Sequence, residues 1–310
     1  MNIVIVGAGN IGSIFAARLI AAEHQVKVIA RNRRLQDIQQ KGIRLKPQFG
    51  TNIEHYAVTA LPELTPDVPA DLILVTVQRH QIDALMPALT AHPCPCIAFM
   101  FNCGEDDSLW QKQLKGRLVW AFPSALGNMQ DGIVEYVVLP GFLRFLQITT
   151  VGINAGGSLE TAKKINKLFN EVRISSVLHY DMRSWLASHL ALMLPPMALG
   201  VRKLQQGKPI EVSFAESRLI ARAQQEAFRV IRSLKLSVTP MNMWMLSMLP
   251  SALVAPFLWM GFQTKVLRKA LKGHADHAHG EVVGMYNDLK KMANKVGFST
   301  PAIDTLCEKL

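Results

Sequence analysis

Charged side chains are scarce in this 310-residue chain, where Asp, Glu, Lys and Arg make up 18% of the residues, against a usual share of about 25%. The charges that are present are unbalanced, because 34 Lys and Arg residues outnumber 23 Asp and Glu residues and give a net charge of +11. Hydrophobic residues make up 49% of the chain, which is enough to build a full core and excludes a disordered protein. A basic but charge-poor chain suggests an anionic ligand, a nucleic acid or an anionic membrane surface as its partner.

Cysteine is also rare, and the four that occur are Cys94, Cys96, Cys103 and Cys307. They are too few for a disulfide scaffold at this length, and their spacing matches no zinc pattern. We therefore expect a reduced, cytoplasmic protein without a metal site. No basic segment precedes the apolar N-terminal run, so we expect no signal peptide. The basic residues are dispersed rather than clustered with aromatic ones, so we expect no nucleic-acid partner.

The longest stretch without any charge runs from Leu236 to Thr264. Its length would allow a membrane span, but Pro240, Pro250 and Pro256 interrupt it. We expect instead a buried helix pair, an apolar substrate pocket or a dimer interface, within a homo-oligomer. Contact with a membrane surface is the alternative, because Met-rich surfaces adapt to irregular partners.

Apolar, β-branched runs alternate with helical patterns in the first half of the chain. The runs that predict strands are 2–7, 25–31, 71–77, 96–101, 117–122, 134–139, 143–151 and 172–178. From about residue 180 onward the pattern is almost entirely helical. This order predicts an α/β domain with a mainly parallel sheet over residues 1–178 and an all-α domain over residues 179–310.

A glycine-rich motif follows the first predicted strand and opens a predicted helix. The motif G-x-G-x-x-G comprises Gly7, Ala8, Gly9, Asn10, Ile11 and Gly12. In this strand–turn–helix context it predicts a Rossmann-like dinucleotide site, with the pyrophosphate on the free N–H groups of the helix start.

The end of the second strand indicates which dinucleotide binds. Sites for NAD usually carry Asp or Glu there to hold the ribose 2′-hydroxyl, whereas this chain has Arg31 followed by Arg33 and Arg34. Guanidinium groups bind a 2′-phosphate in a bidentate way. We therefore predict NADPH as the cofactor and Arg31 as the residue that holds the 2′-phosphate, with Arg33 and Arg34 either beside it or on a solvated surface.

Several segments resemble the ketopantoate reductase (2-dehydropantoate 2-reductase) family. They are the glycine-rich run with Arg31, Lys41–Leu45, Leu74–Gln81, Phe101–Gly104, Gly280–Val282 and Ala293–Pro301. The resemblance implies a Rossmann domain and a helical domain similar to the C-terminal domain of 6-phosphogluconate dehydrogenase, with the active site between them. It also implies that Gln78, Gln81 and Asn102 line the cofactor's nicotinamide side, and that Glu281 contacts the substrate.

The same comparison predicts a diverged active site. The family's catalytic Lys and two Asn lie in a W-x-K-x-x-x-N-x-x-x-N pattern, and here the matching residues after Trp185 are Ala187, Ala191 and Pro195. Reduction of a ketone leaves an alkoxide that needs a proton or a positive charge. His189 is one candidate acid. A second candidate acid is the loop that carries His274, His277 and His279. The alternatives for these histidines are a solvated polar loop and a metal site.

A protonated imine would need no strong acid and fits an apolar pocket. The sequence therefore predicts an NADPH-dependent oxidoreductase that transfers hydride to a carbonyl or imine of a small, apolar substrate. Asn102, Glu281 and His189 are its candidate catalytic residues. Two alternatives remain: a genuine 2-dehydropantoate 2-reductase, and a non-catalytic NADPH-binding sensor or interaction protein.

Overall fold

A computed structural model of the chain describes residues 1–48, 50–104, 106–137, 147–264, 268, 271, 279–308 and 310. The chain forms two units. The first comprises Met1–Phe101 and Asp107–Met182, and the second comprises Asn102–Asp106 and Arg183–Leu310. The sequence placed the boundary after residue 178 and gave no sign that a short segment near residue 102 belongs with the helical unit.

The first unit is built on an eight-stranded sheet with the order β12-β11-β8-β7-β6-β1-β2-β5. Its strands are β1 (Asn2–Val6), β2 (Gln25–Ile29), β5 (Thr59–Leu61), β6 (Leu72–Val75), β7 (Ile97–Phe99), β8 (Leu118–Phe122), β11 (Thr149–Gly152) and β12 (Ser176–His179). Neighbouring strands are parallel except β8 and β11. The mainly parallel sheet predicted from the β-branched runs is confirmed.

Helices cover this sheet, so its central strand is buried on both faces, as parallel sheets require. Ile3, Val4, Ile5 and Val6 of β1 are each 2% exposed or less. The helices of this unit are α1 (Asn10–Ala21), α2 (Asn32–Lys41), α3 (Ile82–Ala91), α4 (Ser108–Gln113) and α5 (Leu159–Glu171), with a 3₁₀ turn over Arg79–Gln81. The continuous apolar runs are therefore explained by burial between two helical layers.

A smaller sheet with the order β4-β3-β10-β9 lies beside α1. Its strands are β3 (Ile43–Pro47), β4 (Glu54–Tyr56), β9 (Leu126–Gln130) and β10 (Ile133–Val137). Of these, only β10 was predicted from the sequence. The three-residue strand β4 reads Glu-His-Tyr, which shows no apolar alternation, so pairing with β3 rather than local preference makes it a strand.

In the described part of the second unit the only regular elements are helices, as the sequence predicted. Its helices are α6 (Met182–Gln205), α7 (Phe214–Ser233), α8 (Met241–Met248), α9 (Ser251–Gln263), α10 (His279–Lys295) and α11 (Pro301–Cys307). By length and composition α6 alone among the described helices is long and apolar enough to cross a membrane, but 78% of its most apolar window is buried inside the fold. This burial is typical of a core helix.

The uncharged segment, for which a buried helix pair was one of three expectations, forms two helices that are not fully buried. Helices α8 and α9 have 8 and 13 residues, and a bilayer span needs about 20. Val254 and Ala255 of α9 pack on Ala221 of α7. Nine large apolar side chains of this segment are exposed: Met241, Trp244, Met245, Met248, Leu249, Leu253, Phe257, Trp259 and Met260. We call these nine side chains the apolar surface.

Candidate active site

The glycine-rich loop connects β1 to α1 and is held at its start by both neighbouring strands. Gly7 has a φ of +106°, a conformation that residues with a Cβ rarely adopt. Its N–H donates to the Ile29 carbonyl at 3.0 Å, and its own carbonyl accepts from the Thr76 hydroxyl at 2.6 Å. The turn is therefore anchored to β2 on one side and to the end of β6 on the other.

The other two glycines of the motif are needed for different reasons. A Cβ on Gly12 would lie 1.9 Å from the Gly7 carbonyl oxygen, so only glycine allows α1 to start this close to the turn. A Cβ on Gly9 would meet nothing within 4 Å. The space beside Gly9 is therefore open, as the approach of a ligand's phosphate to the backbone requires.

The loop's carbonyls are turned inward, which leaves amide hydrogens at the helix start. The Ala8 carbonyl accepts from Arg34 Nε at 2.9 Å and from the Ser13 hydroxyl at 3.3 Å. The Gly9 carbonyl accepts from the Ser13 amide at 3.0 Å. Within the described part of the chain, the amides of Asn10, Ile11 and Gly12 have no acceptor. Such unpaired donors at a helix start bind anions.

The side chain of Asn10 does not face this open space. Its Nδ2 donates to the Gly127 carbonyl of β9 at 2.9 Å. Asn10 therefore presents only its backbone N–H to a ligand, while its side chain ties the loop to the small sheet.

The three arginines after β2 divide into two kinds. The side chains of Arg31 and Arg33 are exposed, and neither guanidinium has a hydrogen bond or ion pair with any described residue. Arg34 is half-buried and donates to Ala8, Ser13, Asp37 and Gly132. Burial lowers the pKa of Arg34, and the Asp37 carboxylate opposes that shift. The Arg34 guanidinium is thus engaged by acceptors of the protein itself, whereas the sequence suggested a place beside the 2′-phosphate or on a solvated surface.

Gln78 and Gln81 lie just after β6 and stabilise one another. The Gln78 amide donates to Gln81 Oε1 at 3.2 Å, and the Gln78 side chain accepts from the Gln81 amide. This reciprocal pairing begins the 3₁₀ turn. Arg79, between them, stacks over the Trp110 ring at 4.6 Å.

Asn102 and Glu281 lie together in the second unit, although 179 residues separate them in the chain. Asn102 Nδ2 donates to Glu281 Oε1 at 2.5 Å, and both residues are half-buried. Two turns further along α10, Asp288 accepts from the Gly104 amide at 2.9 Å. A Cβ on Gly104 would lie 2.8 Å from Leu190 Cδ1. The segment that carries Asn102 is therefore held against α10 at two points, and Asp288 is a residue that sequence reasoning missed.

On α6, the rings of His189 and Trp185 stack at 5.2 Å with an interplanar angle of 16°. Ala187 and Ala191 are 1% and 0% exposed and belong to the helical core. The positions where the resemblance places a Lys and an Asn are thus filled by small apolar side chains.

The residues considered as metal ligands are only partly described. His279 is exposed at the start of α10, whereas His274 and His277 lie outside the described residues. Burial raises the pKa of Cys94, and that of Cys96 to about 12, so both thiols stay protonated near neutral pH. Over the part of the chain that the structure describes, no group of three His, Cys, Asp or Glu residues could hold a metal ion.

Comparison with known proteins finds relatives among the ketopantoate reductases. The sequence model of the family described as ketopantoate reductase PanE/ApbA matches residues 3–132, which is less than half of the chain. A 2-dehydropantoate 2-reductase from Pyrococcus abyssi is 25% identical over 202 residues, covering 60% of this chain and 59% of the relative. The chain resembles the ketopantoate reductase family. It spans about three-fifths of the length of the curated relatives that it matches.

Solved structures show that the ketopantoate reductase fold extends over both units. A PanE/ApbA family ketopantoate reductase from Ralstonia eutropha JMP134 has a TM-score of 0.77 at 18% identity, covering 99% of this chain and 96% of that one. D-mandelate dehydrogenase in a ternary structure with NADH and anilino(oxo)acetate has a TM-score of 0.76 at 15% identity, with the same coverage. The predicted resemblance and fold class are confirmed, and the chain has the fold of oxidoreductases of this family.

Proposed function

We propose that this protein is an NADPH-dependent reductase that delivers hydride to a carbonyl or imine carbon of a small, largely apolar molecule. The observation that supports it most is the loop from Gly7 to Gly12. Its carbonyls are bonded inward, its helix-start amides have no acceptor among the described residues, and the space beside Gly9 is open. These features fit the pyrophosphate of a dinucleotide.

Each part of the cofactor has residues suited to hold it. The amides of Asn10, Ile11 and Gly12 would bind the pyrophosphate. The exposed guanidinium of Arg31, at the start of α2, would bind the 2′-phosphate. Gln78, Gln81 and Asn102 would line the nicotinamide side, as in the family. When bound, the reduced nicotinamide supplies the hydride.

Glu281 and Asn102 would orient the substrate. Because Glu281 accepts from Asn102 Nδ2, the amide is fixed and its oxygen can accept a hydrogen bond from a bound molecule. The second carboxylate oxygen of Glu281 can accept from a hydroxyl or amine of the substrate. A ketone would still require a proton donor, which His189 could be, whereas a protonated imine would not.

Turnover tests this chemistry. With NADPH and a panel of 2-oxo acids, apolar ketones and cyclic imines, we expect loss of the reduced-nicotinamide absorbance with at least one apolar substrate. Glu281→Gln should lower kcat/KM for that substrate by about 10²-fold, because a misplaced substrate reacts slowly, and leave NADPH affinity unchanged. Activity that does not depend on Glu281 would remove it from the site.

Two other functions have specific support. The curated relatives are 2-dehydropantoate 2-reductases, so ketopantoate belongs in the panel, and turnover on it at ordinary enzyme rates would establish that activity. The buried Ala187 and Ala191 support a non-catalytic NADPH-binding protein. Tight NADPH binding without turnover of any compound would favour this last function.

The apolar surface supports a homo-oligomer in which it meets the same surface of a second copy. Helix α9 is apolar on the face packed against α7 and also on the open face, a pattern typical of a buried helix. From the exposed fractions of its members, the surface offers roughly 1,000 Å², against about 800 Å² per partner in a standard interface. Helices α8 and α9 carry no charge, so two copies of a chain with net charge +11 can meet here without repulsion.

The compartment is proposed on the state of the cysteines. Cys94, Cys96, Cys103 and Cys307 are all free and buried, which suits a reducing environment. We accordingly propose a cytoplasmic location.

A further inference from the structure

The guanidinium of Arg34 joins four separate parts of the first unit. Its Nε donates to the Ala8 carbonyl and its Nη2 to the Ser13 hydroxyl, both at 2.9 Å. Its Nη1 donates to Asp37 at 2.8 Å and to the Gly132 carbonyl at 2.9 Å. These bonds connect the glycine-rich loop, α1, α2 and the turn between β9 and β10.

The bond to Ala8 determines where the next amide points. In a trans peptide, the C=O of one residue and the N–H of the next lie in one plane and point in opposite directions. Because Arg34 and Ser13 hold the Ala8 oxygen inward, the Gly9 N–H is directed away from them. The Thr76 hydroxyl acts in the same way on the Gly7 oxygen, and so on the Ala8 N–H.

Arg34 is itself held in place before any ligand arrives. Asp37 accepts from both Arg34 and Arg44 at 2.8 Å, and these three side chains are 16%, 15% and 13% exposed, respectively. Arg44 also donates to the Asp131 carbonyl at 3.0 Å, next to the carbonyl of Gly132 that accepts from Arg34. The β9–β10 turn and α2 thus fix the guanidinium, so little side-chain freedom remains to be lost when the loop binds a ligand.

We infer that Arg34 is a positioning residue that orients the Ala8–Gly9 peptide, and thereby sets the affinity for the pyrophosphate that NADPH and NADH share. Arg31, by contrast, acts only on the 2′-phosphate. This inference rests on the proposed dinucleotide site, and it assigns separate tasks to two arginines three positions apart.

The test compares both nucleotides on variants of the full-length protein by calorimetry. Arg34→Met should weaken NADPH and NADH alike, each by about tenfold, so that the ratio of their dissociation constants stays within about twofold. Arg33→Met, which removes the same charge from the exposed neighbouring position, should leave NADH affinity within about twofold. Arg34→Lys keeps a charged donor and should therefore lose less affinity for both nucleotides than Arg34→Met.

Hydrogen exchange of the cofactor-free protein gives a second readout. In Arg34→Met the amide of Ser13, which donates to the Gly9 carbonyl at 3.0 Å, should exchange faster than in wild type, while those of β6 should not change. If Arg34→Met does not fold, Ser13→Ala removes the hydroxyl shared by Arg34 and Ala8 and should weaken both nucleotides in the same direction.

The inference is overturned if Arg34→Met weakens NADPH and spares NADH, since Arg34 would then be a 2′-phosphate ligand. It is equally overturned if both affinities and the exchange rates are unchanged. A wild-type protein that binds neither nucleotide would instead refute the proposed function, and faster exchange in the cofactor-free variant would still establish that Arg34 orders the loop.

Discussion

At the scale of single residues, glycine is needed at two positions of the same motif for opposite reasons. The Gly12 position has no room for a Cβ, because the Gly7 carbonyl lies 1.9 Å from where it would be, whereas the Gly9 position has nothing within 4 Å. One glycine is therefore required by the fold, and the other only by an approaching ligand.

Alanine at each position separates these reasons. Gly12→Ala should lower the free energy of unfolding by about 1–3 kcal/mol, as overpacking typically does, which denaturant titration measures. Gly9→Ala should unfold like wild type but bind NADPH at least about tenfold more weakly, because its methyl group occupies the space proposed for the phosphate. Normal NADPH binding by Gly9→Ala would contradict this use of the loop.

The roles of the arginines show what sequence can and cannot determine at this scale. The motif and the absence of a carboxylate after β2 are local patterns, and both predict a cofactor without further information. The inward direction of Arg34 depends on the carbonyls of Ala8 and Gly132, which are 26 and 98 positions away. No pattern near Arg34 distinguishes it from Arg31.

At the scale of elements, the position of Asn102 depends on α10. Glu281 and Asp288 project from this helix to Asn102 and to the Gly104 amide. The sequence placed Asn102 and Glu281 in one site only through the family resemblance, because a contact across 179 positions leaves no local signal. Asp288 belonged to none of the motifs and was missed.

Substitution of Asp288 tests this anchoring. Asp288→Ala leaves the Gly104 amide without its acceptor and should lower the free energy of unfolding by about 1–3 kcal/mol. It should also reduce kcat on any substrate more than NADPH affinity. Asp288→Asn keeps an acceptor oxygen and should retain most of the unfolding free energy and most of kcat. If the Ala and Asn variants behave alike, the hydrogen bond to Gly104 is not what positions the segment.

Prediction of the strands succeeded where burial on both sheet faces left a continuous apolar run, as in β1 and β6. It failed for β3, β4, β5 and β9, which carry polar residues or lack a continuous apolar run. Those strands are defined by their partners in the sheet, such as the pairing of Leu45 with Val134, and pairing across such distances is not encoded in neighbouring residues.

At the scale of the whole molecule, the scarcity of charged residues is greatest in the segment of α8 and α9. Nine of the large hydrophobic side chains exposed in the described part of the chain form the apolar surface on α8 and α9. Composition alone predicted an uncharged segment, but whether it was buried or open depended on which face of α9 meets α7.

Sedimentation tests the proposed second copy on this surface. Wild type should sediment as a dimer at micromolar concentration, and the double change Met245→Glu with Phe257→Glu should give a folded monomer whose stability no longer depends on protein concentration. Leu109→Glu, at an exposed position on α4, is the matched control and should remain dimeric. A monomeric wild type, or a dimer that survives the double change, would contradict the assignment, and binding of a monomer to anionic vesicles would indicate a membrane partner instead.

Binding of NADPH by the Gly7–Gly12 loop and Arg31 is the basis of the proposed function. Calorimetric titration of wild type and Arg31→Ala with NADPH and NADH tests it most directly. Wild type should bind NADPH at least about tenfold more tightly than NADH, and Arg31→Ala should remove the preference while keeping NADH affinity. Equal affinities of the two nucleotides for the wild-type protein would contradict it.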